Sequence, residues 1–424
     1  MKQTALSLED LRAAVMRLPD DGLMAKREAA FANIDEHGLP SVSDEDWKYT
    51  DLGPAIDISN RWLSDGAGSS STDVQRDSIQ ALCSSIDANW LVVANGLVNL
   101  DYLDASTDID IERFSNTAAP KLAVRPLTDL NTALLQDGLR VQIHGATEKP
   151  LGILVIDEVN AGAGVSQANV EIEVAPGCDV EIIEYHHSSG EGDHYSNSVI
   201  ALQIDQAAHV SYARIQNRRL GHVQTGRLSA SLANDARLNM SGYDIGGGLI
   251  RNDIDIDLSH PGAEAAFNGL YLAGDGQHID NHTRVDHRAG PARSSQEYRG
   301  ILNGRCRCVW NGKAIVHEGA DGTDANQANH NLLLSENAEI DAKPELEIYA
   351  DDVKCSHGTT VGQLDETALF YLLSRGMDKR QAVQMLTHAF AADLVGRAPV
   401  AAAKATITSL VEKRLADLIQ VDAP

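Results

Sequence analysis

Positive charge is scarce in this 424-residue sequence: 35 Lys and Arg stand against 61 Asp and Glu, a formal net charge of -26. Nucleic-acid binding needs a basic footprint, and an anionic membrane surface repels such a chain. No nucleic acid and no membrane are therefore expected as partners, and the acidity reads as a device for solubility. Cysteine is sparse as well. Five are scattered at 83, 178, 306, 308 and 355, with no CxxC pair and no disulfide framework. Thiols used so sparingly fit a reducing compartment. No apolar run approaches membrane-spanning length. The opening "MKQTALSLEDLRAAVMRLPDD" has no apolar h-region and is too acidic for a transit peptide. A soluble, cytoplasmic protein is expected. GxxxxGK[ST], GxSxG, HExxH and a strand-coupled GxGxxG are all missing, which argues against ATP chemistry by this chain. The glycine run "DIGGGLI" has no helix start behind it and reads as a turn.

What is present falls into three kinds of text, and the length predicts two or three domains. Residues 1–137 read mostly helical. "SLEDLRAAVMRL" puts Leu11, Val15 and Leu18 on one face, with Ser7 as cap. "SDGAGSSSTD" reads as loop. "NWLVVANGLVNLDYL" reads as a hairpin, because two apolar runs flank the favoured turn pair Asn95-Gly96. "LTDLNTALLQDG" reads as a short helix ending at Gly138.

Residues 138–358 alternate with period two. The segments "VEIEV", "IALQI", "LSASL", "IDIDL" and "HTRV" end at Val174, Ile204, Leu232, Leu258 and Val285, at spacings of 30, 28, 26 and 27. A strand-built repeat of this length means stacked rungs, none of which buries its apolar face alone. A sandwich would show tight hairpin signals between strands. These are few, so a parallel β-helix is expected, its narrow interior filled by Val, Ile, Leu and Ala. The 4% aromatic content suits such an interior.

Residues 359–424 turn helical. "DETALFYLLSRG" starts on Asp365 as cap and stops at Gly376. "DKRQAVQMLTHAFAADLVG" carries Val383, Leu386, Phe390 and Leu394, and the last helix a stripe of Ile407, Leu410, Val411, Leu415 and Leu418. Three short helices make little core alone. They are expected to pack on each other and on the β-helix end, leaving a surface for another protein.

Few residues suggest chemistry. Cys306 and Cys308 in "GRCRCVWNG" share a strand face but lack a complementary ligand pair, so they read as buried core. His278, His282 and His287 scatter over both faces of one strand. Cys355 and His357 in "DDVKCSHGTTVG" differ. The apolar phase flips across Asp351-Asp352, which suggests a bend or bulge, and Cys355 and His357 share one face of what should be the last rung. Two readings stay open there: a satisfied edge histidine, or a ligand pair at an edge that must be capped or paired.

"KPELEIYADDVKCSHGTTVGQLDETALFYLLSRG", "HEGADGTDANQANHNLLLSENA", "LPSVSDEDWKYTDL" and "EYRGILNGRCRCVWNG" together resemble the SufB/SufD family of the SUF iron–sulfur cluster assembly system. The "KCSHG" run and the chain length lie closer to its SufD branch. The resemblance implies a right-handed parallel β-helix core between helical N-terminal and C-terminal domains. It implies a non-catalytic scaffold that pairs with a SufB-like paralogue through the β-helices. A SufC-like ATPase would sit on the C-terminal helices, with Asp365, Phe370, Tyr371 and Arg375 as candidate contacts. It places the functional histidine on His357 and its neighbouring cysteine on Cys355, as ligands of transient iron or a nascent cluster shared with the partner. No stable cofactor is expected in the isolated chain, which could pair with itself. The family usually has small residues where this chain has Cys306 and Cys308, which strengthens their core reading. Two other classes remain: a purely structural adaptor, and a polysaccharide-acting β-helix enzyme. The latter normally carries a secretion signal and clustered carboxylates.

Overall fold

The period-two segments become two facing sheets of a β-solenoid of about seven turns, with flanking helices. The computed structural model describes residues 5–66, 74–104, 107–114 and 125–419. Most of the Ser/Gly-rich run after Ser64 lies outside them. From Leu139–Ile143 onward consecutive strands alternate between the sheets, so one collects ten strands and the other nine, paired in parallel through the core.

The register explains the repeat. Val174, Ile204, Leu232 and Leu258 pair in sequence along the nine-stranded sheet. The next partner is His287, followed by Val316 and Ile348, so Val285 is two residues short of the true rung mark. A two-residue slip leaves every side chain on its own face, and alternation cannot detect it. Between the sheets, inward residues stack in columns such as Val170, Ile200, Leu228 and Ile254. Later turns depart from the aliphatic interior expected. Phe267, Tyr271, Tyr298 and Trp310 are buried there. Gly269, Gly300 and Gly312 leave the space that the rings of Tyr298, Tyr271 and Trp310 occupy.

The Asn95-Gly96 hairpin forms, with both residues at positive φ, 48° and 81°. Its first strand, Asn89–Ala94, also pairs in parallel with Leu151–Glu158, so the hairpin extends the ten-stranded sheet. At the far end Asp351-Asp352 is a bend, as expected, and it lies between strands rather than within one. It is a corner joining Glu339–Ile348 of one sheet to Lys354–Gly362 of the other.

Eight α-helices lie among the described residues: α1 (Leu8–Val15), α2 (Met24–His37), α3 (Gly53–Ser64), α4 (Arg76–Cys83), α5 (Pro126–Leu134), α6 (Glu366–Ser374), α7 (Lys379–Gly396) and α8 (Lys404–Leu418). Ser7 caps α1 by accepting from the Asp10 amide. Helix α5 stops at Leu134, before Gly138, because Leu135 is extended and its carbonyl accepts from Arg27 Nε at 3.0 Å. Helices α1, α2, α3 and α5 share a core with Val165, Tyr195, Val223 and Leu249 of the nine-stranded sheet. Helices α7 and α8 share another with Tyr243, Leu270, Leu272 and Ile301 of the ten-stranded sheet. The C-terminal helices thus cover a flank of the solenoid rather than its end.

A Cβ at Gly300 would overlap the Tyr271 ring in the closely packed interior. Gly300→Ala is expected to destabilise the chain by about 1–3 kcal/mol, read from urea denaturation monitored by circular dichroism.

Candidate functional site

The two last strands decide what the open end of the solenoid offers. Among the described residues, Glu339–Ile348 pairs only with Arg307–Val316, and Lys354–Gly362 only with Asp324–Leu333. Each leaves its other backbone edge unpaired. The edges are long, 10 and 9 residues, whereas the outermost strands at the N-terminal end have 3 and 5. Lys343 and Pro344 interrupt one long edge, the residue types that blunt such surfaces. Ile348, Tyr349 and Val361 remain exposed around it.

Cys355 and His357 lie on the outermost strand, opposite Ala325 and Gln327 of the strand beneath. Ala325 and Gln327 are buried, so the pair occupies the inward-facing column of a rung that no other described residue covers. Cys355 is half-buried and His357 exposed. Burial pushes the Cys355 thiol up. Deprotonation there needs a cation or metal close by. No group of three His, Cys, Asp or Glu side chains able to hold a metal ion occurs among the described residues. Two ligands cannot fill a coordination sphere.

Helix α6 follows the Cys355 strand after a three-residue link, Gln363 to Asp365. Asp365 caps it, accepting from the amides of Thr367 and Ala368. None of its residues is buried. Phe370 is 73% exposed and Tyr371 54%, and the Arg375 guanidinium lies 5.1 Å from the Tyr371 ring centroid. The four candidate docking residues therefore lie on one helix with no buried residue and on its two caps.

Other sequence candidates resolve into structure. Cys306 and Cys308 are buried in the solenoid core. A hydrogen bond from Cys308 lowers Cys306, while burial pushes Cys308 far up. His278 accepts or donates to Thr50 Oγ1 at 2.8 Å. The Thr50 hydroxyl also meets Asp280, which binds Arg251 Nη1 at 2.6 Å, and the Arg251 guanidinium lies 4.3 Å over the Trp47 ring. The "DWKYT" run is thus a clasp between the N-terminal region and the solenoid. Burial is the largest influence and would raise Asp280, but Arg251, His282 and the Thr50 hydrogen bond together outweigh it and hold that carboxyl well below the usual range.

Sequence reasoning missed a polar column inside the solenoid. Glu184 accepts from Tyr212 Oη at 2.6 Å and meets His186 Nε2 at 2.6 Å. Arg214 binds Asp244 at 3.0 Å, and Arg218 binds Asp157 at 2.6 Å. Farther along, Asn329 donates to Tyr271 Oη at 3.1 Å, and Thr359 of the last strand donates to Asn329 at 3.4 Å. The signal was parity. Glu184 and His186 are in phase with inward Val180 and Ile182, and Arg214 and Arg218 with Val210 and Tyr212.

A model of the SUF system FeS cluster assembly SufBD core domain matches residues 157–390. The chain is 31% identical over 367 residues to the iron-sulfur cluster assembly protein SufD of Escherichia coli, spanning 84% of this chain and 85% of that one. It is 25% identical over 438 residues to SufD of Bacillus subtilis, spanning 96% and 94%. A SufBD family protein of Synechocystis is 27% identical over 430 residues, spanning 95% and 93%. Solenoid and matches together define an iron–sulfur cluster assembly protein. The chain belongs to the SufB/SufD family of the SUF system. No helix among the described residues is long and apolar enough to cross a membrane.

The buried histidines set an acid limit on the fold. Burial lowers His194 and His287 to about 4, and His186, His187, His222 and His278 move the same way. Unfolded histidines take up protons near about 6.5, so the unfolded chain binds more protons at mildly acid pH. Stability is complete above that value and is lost as pH falls toward 4, where the folded His194 and His287 titrate. His194→Gln should flatten the slope of unfolding free energy between these limits by up to about 1.4 kcal/mol per pH unit, the share of one proton. Urea titrations across this range measure it.

Proposed function

We propose that this chain is a non-catalytic scaffold subunit whose open solenoid end is completed by a SufB-like paralogue. Iron and the nascent cluster are cargo at the seam, with His357 as ligand, Cys355 as a nearby thiol, and the remaining ligands from the partner. The observation that carries the reading is the terminal rung. It has two long unpaired edges, exposed Ile348, Tyr349 and Val361, and a Cys/His pair on its inward-facing column. Unpaired strands recruit a strand-bearing partner. Imidazole and thiolate are borderline and soft donors suited to iron and sulfide. Homodimerisation of the isolated chain would use the same edges. Helix α6, apolar yet uncovered, is the docking surface for a SufC-like ATPase, which supplies the ATP hydrolysis. A structural adaptor with no ligand role is the competing reading.

His357→Ala separates the two. In the purified complex with SufB-like and SufC-like partners, anaerobic assembly followed by iron content and absorbance should fall about tenfold or more, with gel filtration unchanged. Cys355→Ala should be milder. Normal cluster formation in the His357 variant favours the adaptor, and a dissociated complex makes His357 an interface residue instead.

For α6, point substitutions are the discriminating test, because removing α7 and α8 would strip a core from the ten-stranded sheet. Phe370→Ser with Tyr371→Ser should abolish co-purification of the ATPase while changing stability by no more than about 0.5 kcal/mol per site, as for surface positions generally. Retained ATPase places the contact elsewhere.

A further inference from the structure

Away from the open rung, the outer face of the nine-stranded sheet carries a groove of about 570 Å³ that runs into a second of about 530 Å³. Cavities of this size hold small molecules. One wall is the segment around Trp47, and another is the start of α5. Arg125, Arg227, Asp255 and Arg284 line both cavities and so mark their junction.

The charges at that junction are uneven. Arg125 Nη2 lies 3.1 Å from Asp255 Oδ1, and Arg227 Nη2 lies 2.7 Å from Asp255 Oδ2. Two guanidiniums thus share one carboxylate. Arg284 adds a third guanidinium on the neighbouring strand, directly beside Asp255 in register, and binds Asp286 at 2.5 Å. Most other acids of the two cavities have cations of their own: Asp253, which also pulls on Arg227, binds Arg251 at 2.8 Å, Glu45 binds Lys343 at 2.9 Å, Glu171 binds Arg140 at 2.8 Å and Asp257 binds Arg288 at 2.6 Å. At the junction itself three guanidiniums meet two carboxylates, Asp255 and Asp286. The cost of that gathering is visible. Arg227 is lowered from its usual value by burial first, and by Arg125 and Arg284 as well, against the pull of Asp255 and Asp253. The first turn of α5 faces the same space through Leu127 and Thr128, and no side chain caps it.

The geometry points to a binding site for a small phosphate-bearing molecule, its phosphate held by Arg227, Arg125 and Arg284. Guanidinium forks match phosphate oxygens in pairs. A tetrahedral phosphate offers oxygens to three such forks, whereas a planar carboxylate serves two at most, and Asp255 already plays that part. This site is independent of the seam that holds His357. It lies on the flank, between N-terminal helices and sheet, where partner docking at the last rung leaves it open.

The test is isothermal titration of the full chain, at low salt, with inorganic pyrophosphate as probe and sulfate as comparison. Saturable one-site binding of pyrophosphate is expected, with sulfate weaker. Arg227→Gln should weaken it by about tenfold or more. Arg125→Gln, at a half-exposed helix cap, should weaken it several-fold without threatening the fold, as circular dichroism would verify. Arg237→Gln, exposed on the opposite sheet and paired only with Glu264 at 3.6 Å among the described residues, should leave it unchanged. No saturable binding at millimolar pyrophosphate overturns the site. So does unchanged affinity in the Arg125 variant, or an equal loss in the Arg237 variant. Equal affinity for sulfate overturns the assignment to phosphate.

Discussion

A parallel rung is satisfied only when both of its backbone edges are hydrogen-bonded, and everything distinctive about this protein follows from how the two ends meet that demand. At the N-terminal end the sheets close down through short antiparallel strands, Leu97–Asn99 and Ile109–Arg113. At the other end the ladder stops at full length. The flanks are already covered, one by α1, α2, α3 and α5, the other by α7 and α8. The uncovered end is therefore where a second chain has the most to add, and the Cys355 and His357 pair lies there.

The interior carries more charge than a simple core would. Arg218, Arg214, Asp157 and Glu184 are fully or nearly fully buried, each with a partner of opposite charge or a hydrogen-bonding neighbour. Replacing such pairs by apolar residues is often neutral or stabilising, whereas removing one partner is strongly destabilising. The column thus fixes which residues oppose one another across the two sheets more than it adds net stability. Aliphatic columns alone would tolerate the same two-residue slip that separates Val285 from the true rung mark at His287.

The solenoid was legible because period-two alternation recurs at nearly constant spacing over residues 138–358. So were the Asn95-Gly96 turn, the Ser7 and Asp365 caps, and the shared face of Cys355 and His357, all local consequences of φ, capping or parity. What was not legible depends on distant chain. "ETALFYLLS" has the apolar content of a core helix, and only the fold reveals that none of its residues is buried. Helices α7 and α8 show their stripes in the sequence, but their choice of a flank over the end is set by exposed apolar residues on another element. Arg125 and Arg227 stand a hundred residues apart and meet on Asp255 of a third segment.

The terminal strand also has a thermodynamic position. In a stack of rungs, stability is a sum of each rung and its contacts with neighbours, and an end rung has one neighbour where interior rungs have two. Its inward face is solvated, so it forgoes most of the burial that holds the others. Local opening therefore costs least at Lys354–Gly362. The ordered column beneath, with Asn329 bound to both Tyr271 and Thr359, stops that fraying from spreading inward. The molecule thus ends on its least-supported rung, and Cys355 and His357 sit on that rung.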